Sequence, residues 1–311
     1  MAFRTEAPPR SVFANAPIYQ FWWEVPTSKR FLELFLDRIP GMMGVADRMK
    51  PEDRAEYERL MSMRDLEYES LATSAGRPAW NSSMIVLKLR KGGLFVYSPW
   101  LSETDGGRAA EVALDSLGEV KVAFVPRAHL SGLKRFQDRY PNAIYIAGES
   151  LPDYRIDLFL SRDSDAAQVV TFIGAEFDWL SLQGEYCFLH KATCTFIGCD
   201  HVYKTNNEGY GPGSSTLPAN TPEWFARANH CLYYEPSFSS GQLYPTYANS
   251  DPRVDCKAVR AALLKFKDEW QVQQLVACHV EPVCSGAMDV LQRSLAWAQR
   301  SPADELSHQQ K

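Results

Sequence analysis

The sequence predicts an α/β layered fold in which short strands alternate with helices from about residue 81 onward. Val120–Val125 is a β-branched run of the kind that forms buried strands inside such layers. Helix-like segments, Ala109–Leu117 and His129–Tyr140, stand on either side of it in the chain. Strand–helix–strand alternation is typical of layered α/β domains. With 311 residues, 45% of them hydrophobic, the chain can bury a large core.

The first 80 residues have a different character from the rest. Their start is proline-rich, and the aromatic cluster Phe21–Trp23 is predicted to lie in a loop that packs against the main domain. Helices are predicted over Ser28–Asp37 and over Pro51–Leu71, where Pro51 suits a first helical turn. The predicted division is an N-terminal extended and helical segment at 1–80, the main domain at 81–301 and a disordered polar tail at 302–311.

The main domain is predicted to contain eight strands and four helices. Gly92 and Gly93 mark a hairpin turn between the first two strands. Residues 204–222 are rich in Gly, Asn, Ser, Thr and Pro and form a long loop, which in compact domains is often functional. The strands are Met84–Leu89, Leu94–Tyr97, Val120–Val125, Ala143–Ala147, Val169–Phe172, Glu185–His190, Cys194–Cys199 and Gln274–His279, and the helices are Ala109–Leu117, His129–Tyr140, Ala258–Phe266 and Gly286–Gln299.

Composition argues against several classes of function. The net charge of −5 and the scattered basic residues give no basis for binding nucleic acid. No apolar run is long enough to span a bilayer, and no signal peptide is visible, so the chain is expected to be cytoplasmic. The seven cysteines include no CxxC pair and are expected to be reduced. The oligomeric state is left open.

Residues that can bind metals stand at the ends of four predicted strands: His129, His190, Asp200 and His279. Sites in layered α/β folds collect at strand ends, and imidazole and carboxylate groups suit zinc or iron. A single histidine after a strand is more often structural, so the hypothesis depends on whether these residues converge. His201, next to Asp200, is expected to point elsewhere.

Four segments together carry a resemblance to a known superfamily. In chain order they are GGLFVYSP (92–99), VPRAHLSGLKRFQDRYPNAIYIA (125–147), GEYCFLHKATCTFIGCD (184–200) and LVACHVEPVCSGAMDVLQRSLAW (275–297). Taken in this order, they resemble the metallo-β-lactamase superfamily, and more narrowly a divergent branch of unknown function with a degenerate metal-binding motif. The resemblance spans residues 84–299 and implies an αββα four-layer sandwich.

The superfamily's metal-binding loop reads His-x-His-x-Asp-His. On this chain its last histidine falls on His129, and the other three ligand positions fall on Phe124, Pro126 and Ala128. The resemblance places the third-motif histidine at His190. It places the bridging aspartate at Asp200 and the final histidine at His279. It therefore implies at most one metal ion, held by His129, Asp200 and His279, with His190 as a further ligand or, like Asp200, as a catalytic group.

These residues suggest a metal-dependent, hydrolase-like enzyme that acts on a small molecule, with an ester or thioester as the substrate class the superfamily implies. The ion would be one zinc or one iron, and a protein without metal stays an equal alternative. Two other functions remain open, a mononuclear non-haem iron enzyme and a non-catalytic binding protein. A cysteine nucleophile is a third class, with Cys284 as its candidate, whereas Cys199 and Cys278 are expected to point into a layer.

Overall fold

The protein is described by a computed structural model. No helix among its described residues is long and apolar enough to cross a membrane, and the cytoplasmic location stays a prediction. Most of the predicted helix Ser28–Asp37, most of the loop at 204–222 and the tail at 302–311 lie outside the described residues. The structure describes residues 11–14, 16–29, 32, 50–72, 77–182, 185–204, 217–230, 238–239 and 255–299.

The first sheet has six strands in the order in which they occur in the chain. Its first three strands are antiparallel, and from the third strand to the sixth they run parallel. The third strand is joined to the fourth, and the fourth to the fifth, through a helix, whereas residues 148–157 join the fifth strand to the sixth without one. The strands are β1 (Ile18–Pro26), β2 (Ala79–Lys88), β3 (Leu94–Tyr97), β4 (Val120–Val125), β5 (Ile144–Ala147) and β6 (Leu158–Phe159).

The second sheet has five described strands, β7 (Phe177–Leu182), β8 (Glu185–His190), β9 (Thr195–Lys204), β10 (Phe238–Ser239) and β11 (Gln274–Val283). Their order is β10-β9-β8-β7, with β11 paired to β9. The β7, β8 and β9 strands form an antiparallel meander, whereas β11 runs parallel to β9. The last of the described strands therefore pairs with the strand that ends the meander.

Helices cover the outer faces of both sheets. Thr104 caps the α3 helix by accepting a hydrogen bond from the Gly107 N–H, and Asp255 caps α7 in the same way through the Lys257 N–H. The helices are α1 (Pro51–Ser62), α2 (Asp65–Ser70), α3 (Asp105–Leu117), α4 (Leu133–Arg139), α5 (Asp163–Ile173), α6 (Glu223–His230), α7 (Cys256–Asp268) and α8 (Ala287–Ser294), with short 3-10 turns at Lys191–Thr193 and Ala296–Gln299.

Three apolar layers hold the elements together. One lies between the first sheet and the α3 and α4 helices, and another lies between the second sheet and the α7 and α8 helices. The third fills the space between the two sheets and contains a cluster of aromatic rings around Phe124. Helix, sheet, sheet and helix thus follow one another across the molecule, so the predicted αββα sandwich is confirmed.

Two predicted elements are wrong. Phe21–Trp23 does not lie in a loop but in β1, where Phe21 and Trp23 alternate onto the buried face and Trp23 stacks on Trp100 at 4.6 Å. Val169–Phe172 is not a strand but part of α5, which begins with acidic residues in its first turn. Its β-branched residues mislead because Val169 and Ile173, one turn apart, are buried while Phe172 is exposed.

The predicted helix over Pro51–Leu71 forms as two helices, α1 and α2, with extended backbone at Met63 and Arg64 between them. β1, which comes from the N-terminal segment, runs antiparallel to β2 along its whole length. The boundary predicted at residue 80 therefore falls inside β2, and the first strand belongs to the first sheet.

The Phe124→Ala variant is expected to lose about 3–5 kcal/mol of unfolding free energy, measured by urea denaturation. Phe124 is buried between the sheets, stacks on Tyr97 at 5.2 Å and meets Phe188 at 5.0 Å. Phe172→Ala, at an exposed position of α5, is the matched control and should change the free energy by less than about 1 kcal/mol. Equal losses in the two variants would contradict this placement of the core.

Candidate metal site

Three predicted ligands meet at one edge of the sandwich. The Nε2 atom of His279 lies 2.9 Å from Oδ1 of Asp200, and Nε2 of His129 lies 3.1 Å from the same oxygen. The two Nε2 atoms are 3.1 Å apart. All three side chains are largely buried. Two imidazole nitrogens and one carboxylate oxygen therefore converge on one point, and the group could hold a metal ion.

His129 comes from the loop that follows β4 in the first sheet. The loop ends at Gly132, whose left-handed backbone (φ 75°) lies so close to Trp100 and Leu101 that a Cβ atom would overlap them. The Nδ1 atom of His129 lies 3.3 Å from Oγ of Ser82 and 3.1 Å from Oγ of Ser98. These two hydroxyls fix the imidazole so that Nε2 points at Asp200.

Ser98 itself has an unusual backbone. It is a buried non-glycine residue with φ 59°, directly after β3, and its N–H donates to the carbonyl oxygen of Phe124 at 3.0 Å. Left-handed backbone in a residue other than glycine is costly and is retained where the surrounding structure holds it. Here it turns the hydroxyl toward His129.

Asp200 and His279 come from adjacent strands of the second sheet, at a break in their pairing. Ala277 pairs with Gly198, and the next pair is His279 with Tyr203, so β9 has four residues (199–202) where β11 has one. A β-bulge changes the direction in which the neighbouring side chains point. Continued without a break, the pairing of Ala277 with Gly198 would place Asp200 beside His279 on the face that Ala277 turns to the helices. At the break both side chains instead meet His129 of the first sheet.

Polar side chains of the first sheet hold β11 at this break. Nε2 of Gln20 donates to the carbonyl oxygens of Ala277 and Val280 at 3.0 and 3.1 Å. The hydroxyl of Ser83 donates to the Cys278 carbonyl at 3.1 Å, and Nδ1 of His279 donates to the Asn81 carbonyl at 2.6 Å. The last bond leaves Nε2 of His279 as the ring atom that faces Asp200. We call this set of bonds the inter-sheet seam.

The charges in the cluster support one another. Burial by itself raises the pKa of Asp200, but the charge and hydrogen bond of His129, with those of His279, hold it well below its ordinary value of 3.8. Burial likewise lowers the pKa of His129, and the carboxylate of Asp200 outweighs it and holds that pKa well above 6.5. In the absence of metal, the pair is therefore a carboxylate beside an imidazolium.

His190 does not join these residues, which corrects its prediction as a ligand or catalytic group. It pairs with Thr195 of β9, five residues before Asp200, which corresponds to a separation of roughly 17 Å along an extended strand. Its Nδ1 atom lies 2.7 Å from the Thr193 hydroxyl, and burial lowers its pKa. His190 has a structural role at the opposite end of the sheet.

His201 also stays out of the cluster, as expected from its place next to Asp200. Its Nδ1 atom accepts a hydrogen bond from the Cys199 N–H at 3.3 Å. Its Nε2 atom donates to the Leu182 carbonyl at 3.2 Å. Burial lowers the pKa of His201 to about 4, so the ring is neutral and serves the backbone around the bulge.

Glu185 is a residue of the site that sequence reasoning missed. It begins β8, and the register that pairs His190 with Thr195 brings it level with Asp200 when continued to that end. Burial and the negative charge of Asp200 raise its pKa to about 8, against the charges of His129 and Arg127 and a hydrogen bond from the Ala128 N–H. A buried carboxyl that keeps its proton at neutral pH thus lies beside the cluster.

Two thiols, those of Cys199 and Cys278, lie on the inner side of the cluster. Both are fully buried in the layer between the sheets, as expected, and with His129 they form a second group of potential metal ligands. Burial raises the pKa of Cys278, but a hydrogen bond from Cys199 and the charge of His129 outweigh it and lower that pKa to about 5. The pKa of Cys199 is correspondingly raised. Cys284 is exposed and outside both groups.

Among solved structures, several metallo-β-lactamases are similar to this chain at low sequence identity. No family model matches the chain, and no curated protein matches it. Among solved structures, a metallo-β-lactamase from Erythrobacter litoralis with β-mercaptoethanol in its active site is 13% identical, with a TM-score of 0.43, covering 71% of this chain and 86% of that one. The metallo-β-lactamase FIM-1 from Pseudomonas aeruginosa in its mono-zinc form is 12% identical, with a TM-score of 0.42, covering 72% and 85%.

A metallo-β-lactamase from Pontibacter korlensis is 9% identical, with a TM-score of 0.36, and the match covers 72% of this chain and 89% of that one. Likeness at this level says nothing about the reaction of this chain, so function has to be argued from the residues of the site.

The Glu185→Gln variant is expected to change how stability depends on pH. The folded-state pKa of about 8 lies above the ordinary value of 4.5, so the stabilisation from protonated Glu185 is full below pH 4.5 and lost as pH rises through 8. Relative to Glu185→Gln, the metal-free wild type should therefore lose a few kcal/mol between these limits. Urea unfolding over a pH series measures this difference, with Glu67→Gln, on the exposed face of α2, as the control that should parallel wild type. A Glu185→Gln profile parallel to wild type would contradict the environment described for Glu185.

Proposed function

We propose that this protein binds one divalent metal ion through His129, Asp200 and His279 and hydrolyses a small ester or thioester. The observation that carries the proposal is the convergence of the two Nε2 atoms and one Oδ1 atom within 3.1 Å of one another. Both Nδ1 atoms have partners in the protein, the Asn81 carbonyl and the two serine hydroxyls. Ligand histidines are typically oriented by such bonds.

The residues fit a single zinc ion. Bonds of about 2.0–2.2 Å place the ligand atoms of a tetrahedral zinc site roughly 3.3 Å apart. The three ligand atoms here are 2.9 to 3.1 Å apart, so small outward shifts would admit the ion. A dication would also supply the positive charge that protonated His129 supplies beside Asp200 in the metal-free protein.

A bound zinc ion would supply Lewis-acid polarisation of a substrate carbonyl group and activation of water. The protein would hold the ligands in place and supply a proton donor. Ser82 and Ser98 hold the imidazole of His129, and the inter-sheet seam holds that of His279. Glu185, a buried carboxyl beside the cluster that keeps its proton at neutral pH in the metal-free protein, could release a proton to a leaving group.

An iron enzyme is the second candidate, and the same ligand set favours it. Two histidines and one carboxylate with open positions are the ligands of many non-haem ferrous oxygenases. Oxygen uptake that depends on added ferrous iron would support this function. Ester or thioester hydrolysis by zinc-loaded protein without oxygen uptake would support the first. Protein that binds neither metal would support the non-catalytic binding protein.

The Asp200→Ala and His279→Ala variants are expected to bind zinc at least about 100-fold more weakly than wild type, because loss of an outer-shell partner alone costs 10–100-fold. Zinc binding is measured by competition with a chelating dye, and hydrolysis with a panel of small esters and thioesters. His190→Gln is the matched control, a buried histidine outside the cluster, and it should keep both properties. Unchanged zinc affinity in both alanine variants would overturn the proposal.

The Ser82→Ala/Ser98→Ala double variant tests how His129 is held. Without the two hydroxyls at 3.3 and 3.1 Å, Nδ1 loses its partners and the ring loses its fixed orientation. Zinc affinity is expected to fall about 10–100-fold while folding is retained. Ser116→Ala, on the exposed side of α3, is the control and should bind zinc like wild type. An affinity equal to wild type in the double variant would show that the serines do not orient His129.

A further inference from the structure

The thiols of Cys199 and Cys278 are used neither by the ligand cluster nor by the proposed hydrolysis. Each cysteine directly precedes a proposed ligand, Cys199 before Asp200 in β9 and Cys278 before His279 in β11. Both follow the last regular pair before the bulge, Gly198 with Ala277. The two strands therefore present a pair of sulfur atoms at the place where they present the carboxylate and the imidazole.

The sulfur atoms form a compact group with His129. The two Sγ atoms and one ring nitrogen of His129 all lie within 4.8 Å of one another. Neither cysteine has any exposed surface. The cluster of His129, Asp200 and His279 is open to solvent, because the side chains of His129 and Asp200 are 11% and 14% exposed. A cation that reaches His129 from outside is thus already next to the thiols.

We propose that Cys199, Cys278 and His129 form a second, sulfur-rich ligand set that binds a thiophilic cation such as Zn²⁺, Cd²⁺ or Cu⁺. Two sulfur atoms and one imidazole nitrogen are donors that such cations prefer, and magnesium or calcium is bound by oxygen instead. The cysteines bind a cation as thiolates and the histidine binds it as a neutral imidazole, so any proton that these groups carry is released to solvent when the cation binds.

This second set rests on the same His129 as the proposed function but not on hydrolysis. Since both sets include that imidazole, a cation held by the sulfur atoms draws it away from Asp200 and His279. The sulfur-rich set therefore competes with the set of Asp200 and His279 for the imidazole of His129. Thiophilic cations such as Cd²⁺ or Cu⁺ should weaken zinc binding by His129, Asp200 and His279, whereas magnesium or calcium should not.

Cobalt(II) is the probe that separates the two sets, because thiolate ligands give it an intense near-ultraviolet charge-transfer band and nitrogen and oxygen ligands do not. Full-length protein, reduced with a phosphine and kept anaerobic, is titrated with Co²⁺. The band is expected in wild type, at about half its intensity in Cys199→Ser and in Cys278→Ser, and absent in the double variant. Cys187→Ser is the matched control, a fully buried thiol on the other face of the sheet, and should keep the full band.

X-ray absorption of zinc-loaded wild type gives the same answer without any variant, should the double variant fail to fold. Sulfur scattering at about 2.3 Å is expected in addition to nitrogen at about 2.0–2.1 Å. Bound cobalt without the band, or zinc with nitrogen and oxygen neighbours alone, overturns the inference. If Asp200→Ala abolishes that sulfur-free binding, the proposed function still stands.

A thiolate band that persists in Asp200→Ala, with zinc affinity unchanged by that variant, would support the sulfur-rich set and overturn the proposed function. Failure of wild type to bind cobalt, zinc and cadmium would overturn both.

Discussion

The inter-sheet seam is the constraint on which the candidate site depends. Sandwiched sheets usually meet through apolar side chains, and here Phe124 and its neighbours form that layer. At one edge the contact is polar, with Gln20 and Ser83 bonded to carbonyl oxygens of β11 and His279 bonded to Asn81. These hydrogen bonds fix the position of β11, and with it the second sheet, relative to the first sheet. The loop carrying His129 belongs to the first sheet, so without the seam its distance to Asp200 would not be set.

Backbone irregularity and buried charge occur together in this region. The extra residues of β9 break the alternation of the strand, and the left-handed backbone of Ser98 turns its hydroxyl inward. Both features cost stability and are typical of places where a fold positions chemical groups. The carboxylate of Asp200 would be costly to bury alone, and the two imidazoles offset that cost. The metal-free cluster is thereby kept in an arrangement close to the one that a cation needs.

Sequence patterns predicted the layered fold, and three of the four ligands that they predicted, His129, Asp200 and His279, converge in the structure. Apolar runs and the polar residues after them follow from local periodicity. The error at His190 has a topological cause. In an antiparallel hairpin the end of one strand adjoins the start of the next, so the end of β8 and the end of β9 lie at opposite edges. Glu185, at the start of β8, was missed for the same reason. The role of β1 was missed because an aromatic cluster gives little sign of which strand it will pair with.

The seam joins positions that are far apart in the chain. Gln20 lies in the first strand and Ala277 in the last, 257 residues apart. Contacts of such long sequence separation form late in folding, because closing a long loop is entropically unfavourable until other structure has shortened it. During synthesis, His129 and Asp200 leave the ribosome well before β11. A nascent chain can therefore assemble most of its first sheet while the edge that carries the candidate site is still open, and only docking of β11 completes that edge.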